Sequence, residues 1–157
     1  MEWHPIDRDE VADLLDADEE GLIDWLEDPI RRPFDVEKAW HALHAVMTGS
    51  AGESDHPLGA VVFGGEEFGP DLGYGPSRYL TVDDVRQIAH ALDDLELADF
   101  RAQIDFEVLD SLDAYPDVWD PEDEGENVGW LVDAFETVRA GFHRAADHGQ
   151  AMIITAV

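Results

Sequence analysis

No cysteine occurs anywhere in the 157 residues, and lysine occurs once, as Lys38. The first absence excludes disulfides, thiolate nucleophiles and cysteine-ligated metal sites, and it agrees with a chain expected in the cytoplasm. The second is part of a general shortage of positive charge. Nine Lys and Arg stand against 38 Asp and Glu, a formal net charge of −29. Nucleic acid and anionic membrane are bound through basic groups that replace counterions, so neither is an expected partner. A basic protein is an expected partner on the same ground. A salt-adapted or GC-rich host would give the same composition with no partner at all, and that is the simpler source of the acidity. Long apolar runs are missing too. Nothing approaches the ~18 residues a transmembrane helix needs, and the opening MEWHPIDRDE lacks the basic and apolar regions of a signal peptide. No H-E-x-x-H, no phosphate-loop G-x-x-x-x-G-K-S/T and no G-x-S-x-G is present.

What remains is a chain that is 45% apolar, long enough for one domain with a sizeable core. Its periodicity predicts a central helix over Asp35–Thr48 with Asp35 as N-cap. Val36, Trp40, Leu43 and Met47 share one stripe, flanked by Ala39 and Val46, with His44 at its edge and His41 on the far side. Gly49 ends the helix. A longer pattern over Glu126–His148 places Val128, Leu131, Val132, Phe135, Val138, Phe142 and Ala145 on one face, and Gly141 within it implies close packing. Ala151–Val157 reads as a strand apolar enough to be central in a sheet.

The remaining elements are shorter. Residues 2–6 form an edge strand limited by Pro5, and Asp7 caps a helix with Glu10 reaching back to it. A second helix follows Asp18 and stops at Asp28-Pro29, before a linker with the one adjacent basic pair, Arg31 and Arg32. Pro57–Phe63 reads as a short buried strand. Gly64–Pro76, with five glycines and two prolines, reads as a shaped loop. Ser77–Leu80 is a brief strand, and Thr81 with Asp84 opens another helix. Helical pieces over Leu97–Gln103 and Phe106–Leu112 come next, then an aromatic turn Tyr115–Trp119 and an exposed acidic run Asp120–Glu126. Helices and strands do not alternate regularly. The expected class is therefore α+β, a helix-rich single domain over a small mixed or antiparallel sheet that includes the C-terminal strand.

The stretches DVEKAWHALHAVMTG, PLGAVVFGGEEFGPDLGYGPSRYL and AYPDVW, with the long helix and terminal strand after them, resemble the YfbM-like family (domain of unknown function 1877). The similarity spans nearly the whole chain. It departs at MEWHPID, where the family often opens on a Gly-rich apolar strand. The resemblance implies a small bacterial α+β domain without an established activity, and it carries over no catalytic residues.

Candidate chemistry is sparse. His41 and His44, three apart on one helix, lack a motif that would make them metal ligands, and one solvated histidine beside one boundary histidine bonded to a loop carbonyl explains them better. The glycine loop 64–76 holds Glu66, Glu67 and Asp71, acids that repel phosphate. Arg78 is expected to pair with one of these carboxylates and pin the loop. A binding rim of Tyr74 and Arg78 around Glu66 or Glu67, assisted by His44, is the small-molecule or weak-enzyme alternative. Trp25, Trp130, Tyr115 and Trp119 are aromatic contact candidates, and satellite core is the simpler role for them. The sequence thus reads first as a non-enzymatic interaction module, concretely of the toxin-neutralising kind. Its candidate contact residues are Trp40, His44, Glu66, Glu67, Tyr74, Arg78 and Trp119. It calls for no catalytic residue, metal or cofactor.

Overall fold

Five strands pair antiparallel in the order β2-β1-β5-β4-β3, where β1 is Glu2–Ile6, β2 Phe34–Asp35, β3 Glu66–Asp71, β4 Pro76–Leu80 and β5 Ala151–Thr155. The computed structural model describes residues 1–116, 118–119 and 124–156. β5 is central, as its unbroken apolar run predicts, and all five of its residues are buried. Side chains alternate across the sheet. Met152 and Ile154 join Trp3 and Leu80 in the larger core, whereas Ala151 and Ile153 join Ile6 in a smaller one. The smaller core is closed by Leu14 of α1 (Arg8–Leu15) and Leu22 of α2 (Glu19–Leu26). The larger is closed by α3 (Trp40–Thr48), α4 (Ala60–Phe63), α5 (Val82–Asp93), α6 (Leu97–Ala102), α7 (Phe106–Ser111) and α8 (Glu124–His148). This is an α+β domain with helices on both faces of one antiparallel sheet, and its C-terminal strand lies in the middle.

Several starts and stops follow from local chemistry. Thr81 Oγ1 accepts from the Asp84 amide (3.2 Å) while Asp84 accepts from the Thr81 amide (2.9 Å), the reciprocal cap expected for α5. Asp18 caps α2 through the Gly21 amide. Gly141 meets a reason to be glycine: a Cβ there would stand 2.5 Å from the Phe34 ring, where α8 crosses β2. Phe34 is itself stacked on Trp3 (5.5 Å) and edge-on to Phe142 (5.9 Å). Close packing at Gly141 is therefore against a ring.

Other expectations are corrected. The helix expected from Asp35 starts at Trp40, because Phe34 and Asp35 pair with Trp3 and Glu2 in the sheet and a 3-10 turn over Glu37–Ala39 intervenes. The Asp35 carboxylate closes a turn on the Glu37 amide instead of capping a helix. Pro57–Phe63 is helical, a 3-10 turn leading into α4. An apolar run of that length suits a buried helix or strand alike. The start is set by His56, whose Nδ1 accepts from the Leu58 amide (3.1 Å), with Pro57 at the first position. The expected glycine loop is largely a hairpin, β3 to β4. Its outer strand lies at the sheet edge, where Pro70 is tolerated, and a register shift between Phe68 and Asp71 takes up the irregularity. Asp71 Oδ1 accepts from the Gly73 and Gly75 amides (2.7 and 2.8 Å) and forms the turn.

Glu10 does not reach back to Asp7. It forms a two-pronged pair with Arg31 (2.6 and 2.9 Å), and Asp7 accepts from Gln150 Nε2 (2.9 Å). β1 is second in the sheet rather than at its edge, yet β2 faces only Glu2 and Trp3, so Pro5 lies beyond the covered stretch. No helix among the described residues is long and apolar enough to cross a membrane. Most of the acidic run Asp120–Glu126, and Asp117 of the aromatic turn, lie outside the described residues.

Candidate functional site

The turn from α4 into β3 passes through Gly64 and Gly65 and stands against β4. There Glu67 and Arg78 are cross-strand partners. Opposite charges directly across an antiparallel pair attract, and Arg78 Nη2 donates to Glu67 (2.7 Å) and to Glu53 of the α3–α4 loop (3.2 Å). Its Nη1 donates to the Phe63 carbonyl (2.8 Å). One guanidinium thus ties a loop, a helix end and an edge strand together. Beside it opens a cleft of about 670 Å³, walled by Glu53, Ser54, Asp55 and His56 on one side and by Ala60, Phe63 and Gly65 on the other. That volume suits a small ligand, but the chemistry does not favour an anion. The guanidinium is already engaged by two carboxylates and a carbonyl, and Asp55 adds a third acid. Nor do Ser54 and His56 form a nucleophile and base. Ser54 Oγ accepts from the His56 amide (3.2 Å), and the His56 ring holds the Leu58 amide.

The loop after α3 is held by histidines. His41 Nδ1 accepts from the Tyr115 amide (3.0 Å), so its proton lies on Nε2, which donates to the Ala51 carbonyl (2.7 Å). His44 Nε2 donates to the Gly52 carbonyl (2.8 Å). The His44 ring is wholly buried, edge-on to Phe63 (4.8 Å), and its Nδ1 has no partner among the described residues. Both histidines of this helix therefore bond loop carbonyls. The far-side position expected for His41 is instead a second anchor. Among the described residues no three His, Asp or Glu side chains are grouped to hold a metal ion.

The other expected contact residues are dispersed. Trp40 is half-buried, stacked on His41 (5.0 Å) and edge-on to Phe63 (6.2 Å). Glu66 is exposed on β3, and Tyr74 is 78% exposed near the hairpin tip. Trp119 is buried, donating its indole N–H to the Ala114 carbonyl (2.5 Å) between Phe106 and Trp130. The aromatic cluster there is part of the larger core rather than a satellite of it. The cleft takes in Arg78 but not Trp40, His44, Glu66, Glu67 or Tyr74. What sequence reasoning missed is the opposite wall, Glu53–His56. The His-Pro pair before an apolar run was its one signal, since it marks a capped helix start.

Burial has a measurable consequence. It pushes the His44 pKa below the ordinary histidine value, with the Gly52 bond opposing and the neighbouring His41 and His56 adding to the fall. His4 is likewise lowered, first by burial, against the raising effect of Glu2 at 3.0 Å. In both, burial disfavours the protonated form in the fold, whereas an unfolded histidine titrates near 6.5. Stability is therefore full above about pH 6.5 and declines as pH falls below it, because the unfolded chain takes up protons that the fold resists. The slope can reach about 1.4 kcal/mol per pH unit for each histidine. Urea midpoints measured from pH 8 to 5 should fall across this window. A flat or rising midpoint would refute the lowering of both. Glu10, lowered by Arg31, and Asp71, lowered by the Gly73 and Gly75 amides, add to the decline at more acidic pH.

A family model, Domain of unknown function (DUF1877), matches residues 1–155. Among solved structures, the crystal structure of YfbM, a protein of unknown function from Escherichia coli, superposes with a TM-score of 0.76 at 21% sequence identity. The match covers 99% of this chain and 98% of that one. At such identity the likeness shows the fold. No curated protein matches.

Proposed function

Because the chain belongs to the DUF1877 family, whose function is unknown, we propose a function from its surface: a non-enzymatic module that binds a basic protein. The observation that carries this reading is the charge, −29 with nine basic side chains. Part of that small positive complement is spent internally. Arg31 is held by Glu10, Arg78 by Glu53 and Glu67, and Arg86 by Asp83. A field of one sign steers an oppositely charged partner and raises its association rate. The concrete form is an immunity-type protein that neutralises a basic toxin. A small-molecule role is less well supported, since the cleft at Arg78 leaves out most of the residues such a role would use and offers no anion a free cation.

The test is a pull-down from the host at low ionic strength, followed by reconstitution with the purified partner. A stoichiometric basic protein is expected, with an affinity that drops at least about tenfold between dilute and half-molar salt as the field is screened. Recovery of no specific partner, or an affinity indifferent to salt, removes the reading.

A further inference from the structure

A second concavity, about 370 Å³, lies between the C-terminal half of α3 and α6–α7. Its lining includes Val46 and Met47 from α3 and Gln103, Asp105, Val108 and Leu109 from the facing elements. The floor is apolar and well packed, with Val46, Met47 and Leu109 all buried. Val108, on the lip, is 47% exposed, although it belongs to a helix whose neighbouring apolar side chains turn inward. The chain segment that supplies one wall is acidic. From Asp93 to Asp113 the chain carries eight acids and one base, Arg101. Asp105, Glu107, Asp110 and Asp113 are all exposed. Tyr115, 43% exposed, is fixed by its amide to His41 on α3, the same helix that walls the groove.

We infer that this groove receives an amphipathic cationic helix of the partner protein, with aliphatic side chains in the groove and Lys or Arg side chains against the acidic rim. The inference rests on the basic-partner reading and says where and how that partner docks. An apolar trough with Asp105 in its lining and Glu107 and Asp110 exposed on the adjoining helix is complementary to a helix with one apolar and one basic face. Strand addition is the less suitable mode here. The exposed sheet edge, β3, carries Glu66, Glu67, Pro70 and a register shift, features that block edge pairing.

The probes are two synthetic peptides of about 18 residues, five helical turns, made of leucine and lysine. One is patterned as an amphipathic helix and the other is its scramble, with the same charge. The amphipathic peptide should bind the isotope-labelled protein at least about tenfold more tightly at low salt, as a buried anchor requires. It should shift amide signals at Val46–Gly49 and Gln103–Leu109. Val108→Asp should weaken it about tenfold although the substitution adds negative charge, which a pure charge attraction would reward. Equal binding of both peptides, shifts elsewhere on the wild-type protein, or a Val108→Asp variant that binds as well or better would overturn the groove while leaving the basic-partner reading standing. Binding of neither peptide would remove both. The shift map is read on wild-type protein, so it decides the matter even if Val108→Asp folds poorly.

Discussion

Trp3→Ala is expected to cost about 5 kcal/mol, near the whole stability of many small domains. The side chain is wholly buried in the larger core. It stacks on Phe34 with the rings nearly parallel, 5° apart in plane. Its indole N–H donates to the Val61 carbonyl at 2.7 Å. Truncation to alanine therefore leaves a cavity, removes the platform on which β2 rests, and strips a buried carbonyl in α4 of its partner. Large-to-small changes of this kind cost about 3–5 kcal/mol, and an orphaned buried acceptor about 1–3 more. Trp3→Phe separates the two effects. It keeps most of the apolar area and loses only the N–H, so a cost of about 1–3 kcal/mol is expected. Urea unfolding of both variants checks this. A loss under about 2 kcal/mol for Trp3→Ala would mean that the ring is not the link between β1 and α4.

That contact also shows where sequence reading stops. The short stretch 2–6 with Trp3 and Ile6 and the apolar run AMIIT are legible as strands, and the capped pattern after Thr81 is legible as a helix. Each depends on neighbours within a few residues. What pairs with what is not local. The position of Phe34 in the sheet is decided by Trp3 across β1 and by the bare backbone of Gly141, over a hundred residues away in sequence, so a helix start at Asp35 was the natural reading. The same holds at PLGAVVF, where the buried environment common to helix and strand hides the period. It holds again for the hairpin, whose glycines and prolines look like a loop until β4 supplies the missing partners. The histidines show the reverse case. By helical angle His44 falls at the edge of the apolar stripe, yet the Gly52 carbonyl lets it be wholly buried. The candidate site was legible only in part. Arg78 as a pin between loop and strand follows from the carboxylates in its own segment. Glu53 as its further partner comes from a polar loop that carries no pattern, and only the fold brings it there.

At the α4–β3 corner Gly65 stands directly against the backbone of β4, and Gly65→Ala should expose that contact. Gly65 has φ +84°, a conformation that L side chains rarely adopt, and a Cβ built there would sit 2.4 Å from the Tyr79 carbonyl oxygen and 2.8 Å from its carbon. These are backbone atoms of β4, so relief cannot come from a rotamer change. The strand pair itself must part, and with it the Glu67–Arg78 contact two residues along. The positive φ costs about 1–3 kcal/mol. The displacement of a paired strand adds a comparable amount, for a total of about 3–5 kcal/mol. Gly73→Ala is the control. Its φ is +116°, but nothing lies within 4 Å of the added carbon, so it carries the conformational cost alone. Denaturation of the two variants side by side should therefore show Gly65→Ala the worse by about 2 kcal/mol. Should they cost the same, β4 yields freely at Tyr79, and the corner that positions Arg78 is not rigid enough to hold the cleft in one shape.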